Sequence, residues 1–416
     1  MTTSLSIADA GRAITDPATF ADFDRLHALL ALLRAEDPVH LVEADDFPPF
    51  WLVTRHADVM DIELQPDRFT NEPEPVLANW EAVRRNQAQG PLLRTLIHMD
   101  APDHPRYRKL VIPWFRPGRL GRLTGSLDAL SAQALQTLER KDGECDFARD
   151  VAMPFPLQVI LAILGLPEAD YPRMLQLTQE LFGATDPDVS RGTSLADLEA
   201  ILTDFFAYFT TLTADRRETP TEDLASMIAN AELDGHPLGD LETISYYVII
   251  ATAGHDTTSS AMAGGMQALI DHPDQLARLR GDMSLLPTAV DEMIRWVSPV
   301  KHFMRTARTD YELGGKRIKA GDWLMLSYVS ANRDEAEFAA PFTFDVGRTP
   351  NHHLAFGFGP HFCLGTQLAK MELESLFGAI LPRLEQVDLA GRPQLTKAIF
   401  VNGHRSLPIR YRLSAA

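Results

Sequence analysis

The combination of residues most suited to chemistry lies at positions 356–365, where the sequence reads FGFGPHFCLG. Cys363 is one of only two cysteines in the 416-residue chain. The glycines around it allow unusual backbone dihedral angles and a close approach to a flat ligand. A helix is predicted to begin just after the cysteine, and the N–H groups at a helix start stabilise a thiolate. The stretch therefore predicts a thiolate that faces a large flat ligand.

Such a thiolate could serve in two ways, as an activated nucleophile or as the ligand of a metal ion. A nucleophilic cysteine needs a base and an orienting partner, and His361 is only two residues away, a poor spacing on most backbones. A zinc site would need more ligands, and the sequence has no second cysteine-rich cluster. Haem iron needs one cysteine and a close-fitting loop. A buried free cysteine is the remaining alternative, but it would leave the glycines unexplained.

A second candidate group is AGHDTT, residues 253–258, predicted to lie in the middle of a long helix. Ala253 and Thr257 are four residues apart and share a helix face, where a small residue leaves room beside a large cofactor. The Thr257 hydroxyl can donate to a carbonyl one turn earlier and loosen the helix locally. Asp256 can relay protons from solvent. The alternative is a core glycine beside a threonine in a helix interior, and we assign no role to His255.

Two further segments place charged residues at helical spacing. In EMIR, Glu292 and Arg295 are three residues apart and are predicted to pair on one helix face. In HPRYR, His104 and Arg108 are four residues apart and face the same way. Asp103 is predicted to cap the helix that carries them. Taken singly, each of these residues could be an ordinary surface charge.

Together these segments resemble the sequence motifs of the cytochromes P-450. The cysteine stretch resembles the haem-thiolate loop of that family, Phe-x-x-Gly-x-x-x-Cys-x-Gly, whose fixed positions are filled by Phe356, Gly359, Cys363 and Gly365. AGHDTT resembles the oxygen-activation motif, and EMIR resembles the family's Glu-x-x-Arg. The motifs occur in family order, and the resemblance runs from about residue 20 to the C-terminus.

The resemblance implies haem b (iron protoporphyrin IX) as the cofactor, with Cys363 as the ligand of its iron and with Thr257 and Asp256 as catalytic residues. The implied cofactor-binding residues are His104, Arg108, Ala253, Arg305, Phe356, Gly357, His361, Cys363 and Gly365. Among these, the positions that match haem-propionate donors are His104, Arg108, Arg305 and His361. The implied substrate-binding residues, which are apolar, are Ile249, Ala253, Val300, Phe303, Phe400 and Val401. The implied structural residues, which would fix the cysteine stretch, are Glu292, Arg295 and Arg348.

The resemblance also implies a reaction: a monooxygenase that inserts one atom of dioxygen into a C–H bond of a small hydrophobic substrate. The chain is similar to bacterial, soluble members of the family, and among these to the terpineol-hydroxylating branch. The expected substrate is a monoterpenoid or an aromatic hydrocarbon, and the expected electron donors are a separate ferredoxin and its reductase. A basic patch for the ferredoxin is expected from Arg106, Arg108, Lys109 and Lys370.

Four alternatives remain beside that function. The first is the same chemistry on a steroid or a fatty-acid-type substrate. The second is a peroxide-driven or isomerising relative, although these often lack the acid–alcohol pair that Asp256 and Thr257 provide. The third is a haem-binding sensor or carrier without enzymatic activity. The last is a cysteine hydrolase, which would hold no haem.

The composition bears on which partners the protein can bind and on the compartment in which it works. The net charge is −18, from 39 Lys+Arg and 57 Asp+Glu, and this argues against binding to nucleic acid, which selects basic surfaces. Two cysteines cannot form a disulfide framework and fit a reducing compartment. The sequence predicts no signal peptide and no apolar run long enough to span a membrane. We therefore expect a soluble, cytoplasmic protein that binds no membrane.

These residues must be held by a mainly α fold. The pattern predicts one large, mainly helical unit with small β-sheets, and the resemblance implies that it is a single cytochrome P-450 domain over residues 1–416 with a long central helix over the haem. That helix is predicted at 241–272 because its residues are apolar around most of its circumference. A last helix is predicted to begin near Leu364. Further predictions are a strand at 50–54 (FWLVT), two strands around a turn at Gly321–Asp322, and loops at 48–50 (PPF) and 72–76 (EPEPV).

Overall fold

The computed structural model of the chain describes residues 6–182, 191–192 and 194–414. Its α-helices are α1 (Ile7–Ala13), α2 (Pro17–Phe20), α3 (Phe23–Glu36), α4 (His56–Glu63), α5 (Trp80–Gln89), α6 (Asp103–Val111), α7 (Pro117–Leu120), α8 (Thr124–Lys141), α9 (Pro154–Leu164), α10 (Tyr171–Phe182), α11 (Leu195–Glu218), α12 (Leu224–Ala229), α13 (Asp240–Asp271), α14 (Pro273–Gly281), α15 (Leu286–Val297), α16 (Tyr328–Ala331) and α17 (Thr366–Ile380). A π-helical turn spans Ala148–Ala152. Short 3-10 turns span Leu96–His98, Ile112–Phe115, Gly121–Leu123, Glu168–Asp170, Met283–Leu285 and Gly359–His361.

The strands are short and form small sheets. They are β1 (Val39–Ala44), β2 (Phe47–Val53), β3 (Phe69–Thr70), β4 (Glu144–Asp146), β5 (Glu232–Leu233), β6 (His236–Pro237), β7 (His302–Ala307), β8 (Tyr311–Leu313), β9 (Lys316–Ile318), β10 (Trp323–Ser327), β11 (Leu384–Leu389), β12 (Gln394–Leu395), β13 (His404–Ser406) and β14 (Pro408–Leu413). The largest sheet has five strands in the order β1-β2-β10-β7-β3. This mainly α architecture with small sheets is the predicted one.

The long central helix is α13, and its observed bounds differ from the predicted 241–272 by one residue at each end. It packs against α9, α10, α11, α15 and α17, so helices surround most of its length. Most of its residues are buried, which explains its apolar circumference. Ala253, near its middle, is exposed, and Gly254, Asp256 and Thr257 beside it are partly exposed. The helix therefore has an open face around Ala253, although most of its other residues are packed.

The five-stranded sheet corrects two predictions. Pro48 and Pro49 lie inside β2 and not in a loop. They are tolerated because β10 pairs with β2 only from Phe50 onward, so the first part of β2 has β1 as its single partner in the sheet. The strands on either side of Gly321–Asp322 exist, but they do not form a hairpin with each other. β9 pairs with β8, whereas β10 pairs with β2 and β7.

The ends of two helices near the cysteine also differ in detail from the prediction. The last helix, α17, begins at Thr366 with Gly365 as its N-cap, so Cys363 lies just before a helix, as predicted. Helix α6 begins at Asp103 with Pro102 as its N-cap, so Asp103 is the first helical residue and not the predicted cap. Its carboxylate instead pairs with Arg94 and Arg106.

Within the part of the chain that the structure describes, no helix has both the length and the apolar character needed to cross a lipid bilayer.

Candidate active site

The cysteine loop, residues 356–365, is held tightly by backbone hydrogen bonds. The Cys363 N–H donates to the Phe356 carbonyl at 2.9 Å, and the Phe362 N–H donates to the Gly359 carbonyl at 3.1 Å. Gly359 has φ +65°, and a Cβ there would lie 2.4 Å from the Glu63 carbonyl oxygen of α4. Only glycine fits this position, because the conformation is left-handed and the contact is with backbone.

Cys363 is exposed as a residue, yet the protein atoms packed around its sulfur raise its pKa. The Gly365 N–H, the Thr366 hydroxyl and the Arg108 charge all act in the opposite direction. The sequence predicted that the helix start would stabilise a thiolate, and this stabilisation is present but smaller than the cost of burial. A bound metal cation would instead lower the pKa of the Cys363 thiol, because a coordinating thiol loses its proton.

Four residues that the sequence predicts as propionate donors, His104, Arg108, Arg305 and His361, lie together beside the cysteine loop, and we call them the donor set. The rings of His104 and His361 are 3.9 Å apart. Arg108 donates to the Phe362 carbonyl at 2.5 Å. Burial, His104, Arg305 and Arg108 together lower the pKa of His361 to about 2. The set is therefore a concentration of donors and positive charge that favours an anionic partner.

The low pKa of His361 bears on the alternative of a cysteine nucleophile. Burial lowers the pKa of His104 to about 4 as well, and Arg108 adds to the effect. Imidazoles this weakly basic are poor acceptors for a proton from a thiol whose own pKa is raised. The structure thus disfavours a Cys–His pair as a hydrolytic centre.

Two residues near the donor set were missed by the sequence analysis. Glu63, at the end of α4, accepts a hydrogen bond from Arg305 at 3.0 Å and another from the Tyr328 hydroxyl at 2.7 Å. One signal could have revealed Glu63: it lies four residues after Val59 and seven after His56, on the buried face of α4. A carboxylate at an apolar position of a helix predicts a buried partner. Tyr328 gave no such signal.

The predicted acid–alcohol pair lies on the open part of α13. The Thr257 hydroxyl donates to the Ala253 carbonyl at 2.6 Å, which is the predicted bond to the preceding turn. Asp256 is mostly buried, and its Oδ2 has no hydrogen-bond partner among the described residues. His255, to which we assigned no role, is fully buried and bonds with the Thr178 hydroxyl of α10 at 2.9 Å. His255 thus ties α13 to α10.

The structure brings four of the predicted substrate-binding residues together. Val300 forms an isolated β-bridge with Val401, and the rings of Phe303 and Phe400 are 5.4 Å apart. Val401 is buried, whereas the other three are partly exposed. Ile249 lies one turn before Ala253 on α13 and shares its face.

The predicted structural cluster forms deep in the protein. Arg295 donates to both oxygens of Glu292, at 2.7 and 2.8 Å, and both side chains are fully buried. Arg348 reaches the same carboxylate at 3.1 Å, and its other nitrogens donate to the carbonyls of Ala339, Ala340 and Thr343. One carboxylate therefore joins α15 to the segment that leads into the cysteine loop.

Part of the predicted basic patch is occupied by ion pairs within the protein. Arg106 pairs with Asp103 and Asp234, and Lys370 pairs with Asp291 at 2.6 Å. Among the described residues no ion pair involves Lys109, which is exposed. Arg106 and Lys370 are therefore less suited to a partner than the sequence suggested.

The residues present fit a flat group that carries carboxylates. Cys363 on the cysteine loop and Ala253 on α13 are both exposed, and so are Pro360 and Phe362 of the loop. The donor set supplies two guanidinium groups and two imidazoles, and the buried Nε2 atom of His104 has no hydrogen-bond partner among the described residues. Charge-assisted donors of this kind are what a buried carboxylate requires. The donor types match haem b, which has an iron atom for the thiolate and two propionates for the donor set.

The family model for cytochrome P450 matches residues 81–399. The chain belongs to the cytochrome P450 family. Cytochrome P450-terp of Pseudomonas sp is 43% identical over an alignment of 413 positions that covers 96% of this chain and 96% of that one. The crystal structure of CYP108D1 from Novosphingobium aromaticivorans superposes with a TM-score of 0.90 and 42% identity, covering 98% of this chain and 99% of that one. Linalool 8-monooxygenase of Pseudomonas putida is 32% identical over 387 residues, 92% of this chain and 95% of its own.

Membership of the family carries the cofactor and the reaction class. The protein is a cytochrome P450 monooxygenase, and its cofactor is haem b.

Proposed function

We propose that this cytochrome P450 hydroxylates a small hydrophobic molecule, a monoterpenoid or an aromatic hydrocarbon, with electrons from a separate ferredoxin and its reductase. The haem, when bound, supplies the redox and dioxygen chemistry. The observation that carries the proposed site is the clustering of the donor set beside the cysteine loop. In this proposal Cys363 is the thiolate ligand of the iron, and the donor set binds the propionates. Ala253, Phe356, Gly357 and Gly365 would pack against the macrocycle.

Asp256 and Thr257 have distinct roles in the proposed site. The Oδ2 atom of Asp256 has no hydrogen-bond partner among the described residues and lies 3.6 Å from His255 Nδ1, and in this proposal it relays a proton. The Thr257 hydroxyl donates to the Ala253 carbonyl, and it can turn from that carbonyl to hold a proton on the open face of α13. The two residues would therefore deliver protons in sequence, from Asp256 to the oxygen atom of Thr257. We assign Glu292, Arg295 and Arg348 to holding the cysteine loop.

The proposed substrate class rests on the apolar walls and on a relative. Val300, Phe303 and Phe400 present apolar surface, which favours a hydrophobic ligand. Aromatic rings such as those of Phe303 and Phe400 favour a compact molecule that can stack on them. Linalool 8-monooxygenase acts, by its name, on a monoterpene alcohol. We therefore favour a monoterpenoid over a steroid or a fatty acid.

A ligand titration tests the substrate class. The purified ferric protein would be titrated with monoterpene alcohols, alkylbenzenes, a steroid and a fatty acid while the Soret band is recorded. We expect a shift to shorter wavelength with the terpenoids or the aromatic hydrocarbons, because such a ligand displaces water from the iron. A shift with the steroid or the fatty acid alone would overturn the substrate class and leave the family membership intact.

A spectrum tests the proposed iron ligand. The reduced protein with carbon monoxide is expected to give the long-wavelength Soret band of a thiolate-ligated haem. Cys363→His is expected to bind haem without that band, whereas Cys145→Ser is expected to keep it. Cys145 is the matched control because it is the other free cysteine and lies in β4. A normal band in Cys363→His would overturn the assignment.

Two further parts of the proposal concern organisation and setting. We propose that residues 1–416 form one domain, because β2 pairs with β10 in one sheet and β4 pairs with β14 in another, so each sheet joins segments far apart in the chain. We also propose a reducing, cytoplasmic setting, because Cys145 and Cys363 are both free thiols.

A further inference from the structure

Glu63 is a buried carboxylate whose contacts join three parts of the site. Its side chain is only about 1% exposed. Its Oε1 accepts from Arg305 Nη2 of β7 at 3.0 Å and from the Tyr328 hydroxyl of α16 at 2.7 Å. A Cβ on Gly357 of the cysteine loop would lie 3.7 Å from the same oxygen. One carboxylate oxygen therefore joins strand to helix and lies close to the loop.

The end of α4 also touches the cysteine loop through its backbone. The Glu63 carbonyl oxygen approaches Gly359 so closely that no other residue fits there. Glu63 therefore cannot move without the loop. Its position is fixed on both sides, by Arg305 and by the loop.

The groups that contact Glu63 favour its charged form, although burial opposes it. Burial raises the pKa of Glu63, while Arg305, the Tyr328 hydroxyl and the Phe358 N–H act in the opposite direction. All three of these groups donate or are positively charged, so they stabilise the carboxylate and not the neutral acid. The charge assigned to Glu63 rests on geometry, a buried ion pair with Arg305 at 3.0 Å.

Arg305 keeps unused donors in this arrangement. Its Nη1 donates to the Met304 carbonyl at 2.8 Å and its Nη2 donates to Glu63. A guanidinium has five N–H donors, so three are left over for another acceptor. Glu63 and the Met304 carbonyl thus hold the Arg305 side chain in place and leave its remaining N–H groups for another acceptor.

We propose that Glu63 is a positioning residue for the haem: it fixes Arg305 for a propionate and adds a negative charge beside the donor set. This rests on the proposed function, in which Arg305 binds a propionate. The negative charge has a consequence for reduction. Reducing the ferric iron adds an electron in a low-dielectric site, and a nearby carboxylate opposes that addition. Glu63 therefore lowers the midpoint potential of the iron.

Two variants separate the charge from the positioning. Glu63→Gln keeps an oxygen acceptor for Arg305 and Tyr328 but removes the charge. Glu63→Asp keeps the charge but withdraws the carboxylate from both partners. Glu180→Gln is the matched control, because Glu180 is also buried and paired with an arginine, Arg191 at 2.5 Å, but lies on α10.

Spectroelectrochemical titration of the holoenzymes measures the first effect. We expect a more positive midpoint potential for Glu63→Gln, and no shift for Glu63→Asp or Glu180→Gln. Transfer of haem to apomyoglobin measures the second effect. We expect haem loss to accelerate roughly 10- to 100-fold in Glu63→Asp, as for other residues that orient a ligand-binding group, and to stay near the wild-type rate in Glu63→Gln.

The outcomes distinguish this inference from the proposed function. If the wild-type protein with carbon monoxide lacks the thiolate spectrum, the proposed function fails and this inference fails with it. If the spectrum is present but Glu63→Gln has an unchanged or more negative potential, the charge role is overturned. An unchanged rate of haem loss in Glu63→Asp overturns the positioning role.

Discussion

At the scale of single residues, the least expected side chain is Lys301. It is 1% exposed, its Nζ donates to the Ala398 carbonyl at 2.6 Å, and it lies 4.8 Å from the centre of the Phe20 ring. Burial lowers the pKa of Lys301 from its ordinary value of 10.5 to about 7. It carries no partner carboxylate among the described residues, so its charge is costly.

Lys301 predicts how stability changes with pH. Between about pH 7 and pH 10.5 the unfolded chain binds the proton that the folded protein has released. Lys301 therefore makes the free energy of unfolding rise with pH in that window, by at most ~1.4 kcal/mol per pH unit. Below pH 7 both states are protonated and the cost is constant. Lys301→Met removes this slope and is expected to stabilise the protein at neutral pH by about 1–4 kcal/mol.

Urea unfolding of wild type and variant at several pH values from about pH 6 to about pH 10 measures the slope. Lys319→Met is the control, because Lys319 is exposed at a turn. The prediction is wrong if the stability of Lys301→Met and of wild type changes in parallel across the window.

Thr257 gives a second prediction at this scale. Thr257→Ala is expected to keep haem binding and ligand affinity but to lose the hydroxyl that holds a proton on the open face of α13. Product formed per NAD(P)H consumed should fall by at least about tenfold, with the missing electrons recovered as hydrogen peroxide. Thr252→Ala is the matched control, because Thr252 makes the same bond to the preceding turn, to the Val248 carbonyl at 2.7 Å, but is buried. Equal coupling in both variants would count against the role of Thr257.

At the scale of elements, the contact between α4 and the cysteine loop sets a strict demand on Gly359. Gly359→Ala places a Cβ 2.4 Å from the Glu63 carbonyl oxygen in a left-handed conformation. We expect a loss of stability of at least about 2 kcal/mol and weaker haem retention, because neither backbone can yield freely. Gly125→Ala in α8 meets no atom within 4 Å and is expected to be neutral or slightly stabilising.

Thermal unfolding and the ratio of haem to protein after purification measure both effects. Full haem content and a wild-type unfolding temperature in Gly359→Ala would contradict the prediction.

The elements also show which parts of the fold could be predicted from the sequence alone. Helix α13 and the start of α17 were predictable because their signals are local: apolar residues in α13 and a glycine before α17. The pairing of β10 with β2 was not, since it joins segments far apart in the sequence, Trp323 to Phe50. For the same reason the resemblance to the family could predict Arg305 as a propionate donor but could not reveal Glu63 as its partner, which lies 242 residues away in the sequence.

At the scale of the whole molecule, the charge is distributed unevenly. The chain carries a net charge of −18, yet residues 104–127 contain no aspartate or glutamate. The basic residues of that segment are Arg106, Arg108, Lys109, Arg116, Arg119 and Arg122. The segment includes most of α6, whose Arg108 contacts the cysteine loop. A local basic surface next to the proposed iron ligand would attract an acidic electron donor, while the remaining surface repels it.

This distribution predicts a salt-dependent effect of charge reversal at Lys109, which is exposed on α6. In Lys109→Glu, ferredoxin-supported turnover is expected to fall roughly tenfold at low ionic strength, because electrostatic steering of the partner is lost. The loss should shrink as salt rises, since ions screen exposed charges. Lys319→Glu changes the net charge equally on another surface and should have little effect. Substrate titrations should be unchanged in both variants. A loss that is independent of salt, or equal in the two variants, would place the ferredoxin elsewhere.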